Sequence, residues 1–398
     1  MAVSTEPPPD VLTRAATAPV FQDGPFTRAL AHLPGGRASY YGLEYQAITI
    51  AAIAWVPLLA ATLVQDGFRY GAATSALLLD FGAYARYLVA LPLLVLADRF
   101  CGTRLTAVAY CFEDTGLVRA QHRAVFDALM ATTHERCAST WAAAFIIVVA
   151  YGFPGALLAL LPPNEIPAWH RLAEPRLPSL AGWWHLVVSA PLMLALFMAW
   201  LWRYVVWTTF LWRVAHLPIR LCAAHPDHAG GLKFVGFSVR AFAPVAAAFG
   251  ALLSGRIAHL VWGGAKLAAY GTAVGTTVIV VLLLFGAPLL AFTPRLMREW
   301  REGVLLYGKL AGQVGVQFED KWFRGTREVD KRALDASDFS AATDLSGYAS
   351  NVYDMRLAPA DLKSFVALAV ATLIPLLPVI LIAAPFDVLL KSVAGLLF

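Results

Sequence analysis

Long apolar runs separated by short polar segments dominate the pattern of the chain. The runs at 47–64 and 269–293 contain no charged residue, and neither do those at 138–161, 185–202 and 365–384. Each is close to the ~20 residues that a helix needs to cross a bilayer. Because the runs do not alternate apolar with polar residues, they favour helices over a membrane β-barrel. The sequence therefore predicts an all-α polytopic membrane protein.

The pattern predicts about seven transmembrane helices, at 47–64, 80–97, 138–161, 185–208, 241–262, 269–293 and 364–384. Spans two and five are the least apolar, since the former contains Asp80 and Arg86 and the latter Arg256 and His259. If either is re-entrant, the chain crosses the membrane fewer times. We expect four parts: an N-terminal segment, a six-span bundle, a helical cytoplasmic region and a last span, at 1–46, 47–294, 295–363 and 364–398.

Arginine and lysine collect in one set of the segments outside the spans. If the N-terminus lies in the cytoplasm, the cytoplasmic segments are 1–46, 98–137, 209–240 and 294–363, and they hold most of the 31 Lys and Arg residues. By the positive-inside rule this predicts an N-in, C-out protein of a plasma membrane. We call the two ends of the bundle the arginine-rich end and the arginine-poor end.

Composition supports the membrane prediction. Apolar residues make up 59% of the chain and charged residues 14%, with a mean hydropathy of +0.64, against ~45–50% and ~25% in soluble domains. The net charge of +5 therefore reflects topology, and we expect the lipid bilayer, not nucleic acid, as the partner. The four cysteines match no metal-binding spacing, and the proline-rich residues 1–24 read as a mobile tail.

Two cytoplasmic segments have helical periodicity. Residues 114–136 predict an amphipathic helix that Asp114 and Thr115 cap, with an apolar face made by Val118, Val125, Phe126, Leu129 and Met130. We expect this helix to pack under the bundle, with partner binding as the alternative.

The second segment follows span six and predicts a helical rod kinked at Pro294. Its apolar stripe repeats close to the coiled-coil period, at Trp300, Val304, Tyr307, Ala311, Val314, Phe318 and Trp322. Beside the stripe, Gly308 and Gly312 permit close approach of another helix. The rod packs on the 114–136 helix of its own chain or forms a subunit contact about a symmetry axis. Residues 326–363 predict a helical hairpin or linker, and prolines predict a bend in the last span.

The densest group of metal-ligating residue types is His225, Asp227 and His228, with His216 upstream. Two histidines and one carboxylate are ligands that zinc or another divalent cation accepts. Pro226 and the following glycine pair also indicate a turn in which Asp227 caps the next segment. We keep three hypotheses: a turn, a metal or anion site, and a catalytic site.

Charged residues within the spans are costly and usually face a bundle interior or a water path. Asp80 and Arg86 are six residues apart, so we place them on different faces of span two. Arg256 and His259 are three apart and share a face, which we expect to meet the interior with Asp80 as counter-charge. In that case an Asp80–Arg256 pair either stabilises the packing of the helices or lines an ion path. The alternative is that the Arg256 side chain snorkels to the membrane boundary.

Three stretches resemble an uncharacterised family of bacterial polytopic inner-membrane proteins. They are LLLDFGAYARYLVALPLLVLAD, HPDHAGGLKFVG and DFSAATDLSGYASNVYDMRLAP. The resemblance implies a bacterial inner-membrane location and no particular activity. In layout alone, seven spans with a helical cytoplasmic base are similar to the insect gustatory- and odorant-receptor channels.

The chain contains no nucleophile elbow, kinase signature, dinucleotide-binding glycines or haem motif. We therefore expect a homo-oligomeric channel or transporter without a cofactor, and not an enzyme. The alternatives are a membrane enzyme or metal-dependent sensor using the His225–His228 segment, and a membrane scaffold whose cytoplasmic rod docks a partner.

Overall fold

The structure, a computed structural model, describes residues 9–22, 24, 42–160, 167–170, 177–324 and 337–383. Within these ranges every regular element is helical, which confirms the all-α prediction. In chain order the helices are α1 Pro9–Thr17, α2 Gly42–Gln65, α3 Ala72–Leu78, α4 Phe81–Asp114, α5 Arg123–Cys137, α6 Thr140–Leu160, α7 Leu180–His216, α8 Phe237–Ala241, α9 Ala243–Trp262, α10 Gly271–Gly286, α11 Thr293–Trp322, α12 Ser337–Tyr353, α13 Leu362–Leu373 and α14 Leu377–Ala383.

Six helical runs in the described residues are long and apolar enough to cross a membrane. The number rises to seven if α3 and α4, which are bent by 55° at the break between them, are counted as one span. The sequence-predicted spans correspond to these runs, and span two is the bent pair. Several runs are longer than the ~20 residues that a bilayer crossing needs, since helices α4, α7 and α11 are 24 or more residues long.

Helix α9 lies at the centre of the bundle. In the apolar part of the run that contains α9, 61% is buried, against 11% in the run that includes α6. Its small residues allow this position. A Cβ on Gly250 would collide with the backbone carbonyl of Thr372 in α13, and a Cβ on Gly255 would meet the backbone of Phe81 at the start of α4. Glycine is therefore needed where α9 crosses its two neighbours.

The N-terminal segment packs on the arginine-rich end, so the prediction of a mobile tail was wrong for residues 9–22. The backbone N–H groups of Val20 and Phe21 donate to the Thr106 hydroxyl at 3.1 and 3.3 Å. The Phe21 ring is fully buried and makes edge contacts with Trp207 and Phe210 of α7. Burial of this aromatic side chain holds the segment in place although it has few other large apolar side chains.

The predicted boundary of the 114–136 helix was also wrong. Helix α4 continues to Asp114, which ends it, and α5 begins only at Arg123 after one 3₁₀ turn. Phe126 of α5 is buried as expected, whereas Val125 is 54% exposed.

The predicted rod is α11, which is 30 residues long and follows α10 through a 3₁₀ segment, Ala287–Phe292. Its neighbour is α12, not the 114–136 segment that we had considered. Phe318 and Trp322 of the predicted stripe contact Phe339 with ring centroids 5.0 and 5.1 Å apart. Gly308 lies against the Tyr353 hydroxyl, whereas nothing lies within 4 Å of a Cβ on Gly312. Trp300 is partly buried against the main core.

The last span is interrupted as its prolines predicted. Between α13 and α14 the chain forms a 3₁₀ turn, Ile374–Leu376, that contains Pro375. The Ser254 hydroxyl of α9 donates to the carbonyl of Pro375 at 2.5 Å. Ser254 of the central helix therefore provides a hydrogen-bond partner for a carbonyl at the interruption.

Candidate functional site

Asp80 lies at the centre of a cluster of polar side chains at the arginine-poor end. It lies in the break before α4 and caps that helix, because its Oδ1 accepts the Ala83 N–H at 3.0 Å. Its Oδ2 accepts the indole N–H of Trp169 at 3.1 Å and lies 3.7 Å from Nη2 of Arg86. The predicted separation of Asp80 from Arg86 was wrong, because Asp80 precedes the helix and is not bound by its periodicity.

Gly82 permits this arrangement. A Cβ there would lie 3.0 Å from Oδ1 of Asp80 and 3.4 Å from Nη1 of Arg86. The carboxylate and the guanidinium can therefore approach each other because Gly82 has no side chain between them. The Asp80 side chain is 13% exposed and that of Arg86 39%, so the pair is shielded on one side and open on the other.

Two histidines complete the group. The rings of His170 and His185 are 5.0 Å apart at 82°, and each contacts the Trp169 ring, at 5.5 and 5.3 Å. Trp169 and His170 are 1% and 5% exposed. Burial lowers the pKa of His170 to about 4, because the apolar surroundings disfavour the charged imidazolium. We call Asp80, Arg86, Trp169, His170 and His185 the His–Asp cluster.

Two π-helical turns border the His–Asp cluster. Ala85–Ala90 carries Arg86, and His185–Ser189 carries His185. Such turns leave carbonyls without their usual intrahelical partners and occur often at functional sites. Two side-chain atoms of the cluster, Nε of Arg86 and Nδ1 of His185, are buried with no hydrogen-bond partner among the described residues. A buried polar atom without a partner is uncommon in a folded protein.

Arg256 and His259 do not join this cluster. Both side chains are exposed, although they belong to the central helix α9. The face of α9 that contacts α4 is instead the one that carries Gly255. The expectation that they face the interior was wrong, and Arg86 takes the place that we had assigned to Arg256. Since Arg256 is six residues, or about 9 Å of helix, from the end of α9, its side chain can reach the membrane boundary by snorkelling.

A second buried ion pair, between Asp98 of α4 and Arg203 of α7, lies nearer the arginine-rich end. The Arg203 side chain is 6% exposed and that of Asp98 14%. The guanidinium also lies 4.8 Å from the Trp200 ring centroid and against Gly24. Leu91 and Leu94, with other buried apolar residues of α4, separate this pair from the His–Asp cluster. The two charged groups therefore lie at opposite ends of an apolar core.

The His225–His228 segment forms the turn that its Pro and Gly residues predicted. Asp227 accepts the backbone N–H groups of Ala229, Gly231 and Lys233 at 2.8, 3.1 and 3.1 Å. His225 Nδ1 lies 2.8 Å from the same carboxylate. In the part of the chain that the structure describes, no three His, Cys, Asp or Glu residues are grouped to hold a metal ion. The geometry thus gives no support to a metal site at His225, Asp227 and His228.

The turn has a structural role instead. His228 has a φ of 54°, a conformation that favours glycine, and its carbonyl accepts the N–H of Arg356 at 2.7 Å. The adjacent Gly230 packs against Met355 and Leu296. The turn therefore holds the chain that returns from α12 to the membrane.

A cavity of about 500 Å³ opens at the arginine-rich end between α1, α4 and α5. Some of its charged groups are already matched, since Arg14 pairs with Glu113 at 3.1 Å and with Asp114 at 3.2 Å, and Arg123 also pairs with Glu113. Asp127 and His134 also line this cavity.

Sequence reasoning missed Asp98, Arg203, Trp169, His170 and His185. Arg203 had a usable signal, because it lies inside an otherwise apolar span. The roles of Trp169 and His170 depend on how a loop folds back over the bundle, for which the sequence has no periodic signal.

The six or seven apolar helices define an integral α-helical membrane protein. Comparison of the chain with protein-family models, with curated proteins and with solved structures gives no significant match. The resemblance to a bacterial inner-membrane family therefore stays a prediction.

Proposed function

We propose that the protein is an ion channel or ion transporter of a bacterial inner membrane, and that the His–Asp cluster lies on its ion path. The observation that carries this proposal is the cluster itself: a carboxylate, a guanidinium and two imidazoles gathered at the arginine-poor end of a membrane bundle. Burial of such groups in a membrane protein is costly, and they usually mark a route for ions or protons.

The cluster is also partly exposed at that end. The side chain of Arg86 is 39% exposed, while that of its partner Asp80 is 13% exposed. The Asp80–Arg86 distance of 3.7 Å is longer than a tight charge-assisted hydrogen bond of ~2.7–2.9 Å. A loose pair exchanges partners more readily than a tight one, as an ion-handling site requires.

Self-association is the second part of the proposal. Helix α11 exposes Leu305, Leu306, Leu310 and Val316, which are 47–73% exposed. Exposed apolar side chains on one cytoplasmic helix favour contact with another helix, and we propose a second copy of the chain. The same surface also suits the alternative of a scaffold that docks a cytoplasmic partner.

Flux through liposomes tests the ion-handling proposal. Purified protein is reconstituted, and the movement of H⁺, K⁺ and Cl⁻ is followed with internal dyes under an imposed potential. We expect protein-dependent flux of at least one of these ions that changes in Arg86→Gln. The matched control is Arg99→Gln, an exposed arginine beyond the apolar core on the same helix. Vesicles that contain folded protein and are as tight as empty vesicles to all three ions would refute the proposal.

A further inference from the structure

His170 and His185 form a close pair of titratable side chains at the arginine-poor end. Their ring centroids are 5.0 Å apart, and the Trp169 ring contacts both. The edge of the Tyr87 ring also faces His185 at 6.0 Å. The two imidazoles therefore share one apolar, aromatic enclosure in which charge on either ring affects the other.

The ionisable groups around the pair can be counted from the elements packed against it. The described part of the cluster holds one carboxylate, Asp80, and one fixed cation, Arg86. Helix α3 and the segment Leu180–Trp184 contribute no ionisable side chain. Among the described residues, the other titratable groups on neighbouring elements near this end are Asp66, whose carboxylate accepts the first N–H groups of α3, the phenols of Tyr84, Tyr87 and Tyr151, and the exposed Arg256 and His259 of α9. Toward the other end of α2 and α7 lie Glu44, Tyr45, Arg203, Tyr204, Arg213 and His216. Toward the other end of α4 lie Asp98, Arg99, Cys101, Arg104, Tyr110, Cys111, Glu113 and Asp114.

A proton on either imidazole would thus add a second cation beside Arg86. The carboxylate of the His–Asp cluster is Asp80, and its Oδ2 accepts the Trp169 indole N–H at 3.1 Å. A charged imidazolium donates a stronger hydrogen bond to a carboxylate than a neutral indole does, so it competes with Trp169 for this oxygen. Trp169 and His170 lie on one short 3₁₀ turn, and the Ser179 hydroxyl links that turn to the start of α7 by donating to the Trp169 carbonyl at 2.7 Å. Movement of the Trp169 backbone therefore displaces the start of α7.

We propose that the His170–His185 pair is a proton-binding site, and that proton uptake detaches Trp169 from Asp80 and opens the arginine-poor end. The ion that this protein moves, or to which its transport is coupled, is then H⁺. Only the link to transport rests on the proposed function, since proton binding and opening can be measured without measuring ion flux.

The direction of the effect follows from burial. The closed cluster lowers the pKa of His170 to about 4, whereas an opened, hydrated histidine titrates near ~6.5. The opened form therefore binds the proton first as pH falls, and acid favours opening. For His170 alone, the linkage relation gives an opening equilibrium that increases about 70-fold between pH 7.5 and pH 4.5.

Hydrogen exchange of the protein in lipid nanodiscs tests the inference. Protection factors, corrected for the intrinsic pH dependence of exchange, are compared at pH 7.5 and 4.5 for amides of Leu180–Ser189. The internal reference is α9, Ala243–Trp262, which the same sample reports. We expect a loss of protection of about 70-fold or more in Leu180–Ser189 and no comparable loss in α9.

Variants with neutral side chains identify the proton acceptor. His170→Gln and His185→Gln should each reduce the pH dependence, and the double variant should abolish it, while His259→Gln, an exposed histidine of α9, should leave it unchanged. Wild-type protein with equal protection at both pH values overturns the inference even if every variant fails to fold. An unchanged pH dependence in a folded double variant also overturns it. Absence of ion flux with intact pH-dependent opening would refute the transport proposal and leave the proton site standing.

Discussion

The buried Asp98–Arg203 pair makes a quantitative prediction about stability. Asp98→Asn keeps the size of the side chain and removes its charge, so that Arg203 is left 6% exposed without its carboxylate. Removing one partner of a buried ion pair typically costs ~3–5 kcal/mol, because the remaining charge stays buried and uncompensated.

The neighbours of Arg203 set the expected value within that range. Its guanidinium lies 4.8 Å from the Trp200 ring centroid, and a cation–π contact of this kind retains ~0.5–2 kcal/mol. We therefore expect a loss of about 3 kcal/mol, which for a chain of 398 residues corresponds to a fall in melting temperature of about 4 °C. The double variant Asp98→Asn/Arg203→Gln has no unpaired charge, so it should lose less than the sum of the two single variants.

The native thiols supply the assay. Cys101 and Cys137 are 0% exposed, so a thiol-reactive fluorogenic dye reports their release on heating in detergent. Arg99→Gln changes the next residue of α4, which is exposed, and should melt within a degree or two of wild type. If Asp98→Asn melts like Arg99→Gln, or if the single effects add fully in the double variant, the ion pair does not stabilise the bundle as argued.

Two further predictions use the same melting assay, and a third follows thermal unfolding against pH by circular dichroism, because a thiol dye needs the thiolate that acid removes. Phe21→Ala should cost ~3–5 kcal/mol, because the ring is fully buried, whereas Phe323→Ala, at a ring 74% exposed, should have little effect; equal melting would mean that the N-terminal segment does not pack as described. Gly250→Ala should destabilise the bundle by driving α9 from α13, and Gly275→Ala, where a Cβ meets nothing within 4 Å, should not; a neutral Gly250→Ala would show that the crossing can relax. Because the pKa of His170 is low in the folded chain, the unfolded chain binds the proton first as pH falls. The free energy of unfolding should therefore be unaffected by this group above pH 6.5 and should decrease by about 3 kcal/mol as pH falls toward 4. His170→Gln should flatten this part of the pH profile, and an unchanged profile would contradict the burial argument.

The fold was predictable from the sequence because membrane helices obey a local rule. A run of about twenty apolar residues must be helical in lipid whatever its neighbours are, so the spans, and the rod that ends at Trp322, followed from the sequence alone. The N-terminal segment was mispredicted for the opposite reason. Phe21 is one aromatic residue in a stretch with few other large apolar side chains, and its burial depends on contacts with α7, far along the chain.

The candidate site was predictable only in part. Asp80 and Arg86 attracted notice as charges in an apolar run, but their pairing required the break before α4, which places Asp80 outside helical periodicity. His185 lies in a π-helical turn, whose shifted register no 3.6-residue pattern predicts. The contacts of Trp169 depend on long-range folding of a loop.

The position of Phe21 also determines the order in which the molecule can be assembled. Phe21 packs on Trp207 and Phe210, which are synthesised only after helices α2 to α6 have been made. Contacts between such distant parts of a chain form slowly and late. The N-terminal segment must therefore wait beside the bilayer, and a fusion partner attached to it would delay maturation of the protein more than it would change the melting temperature of the finished one.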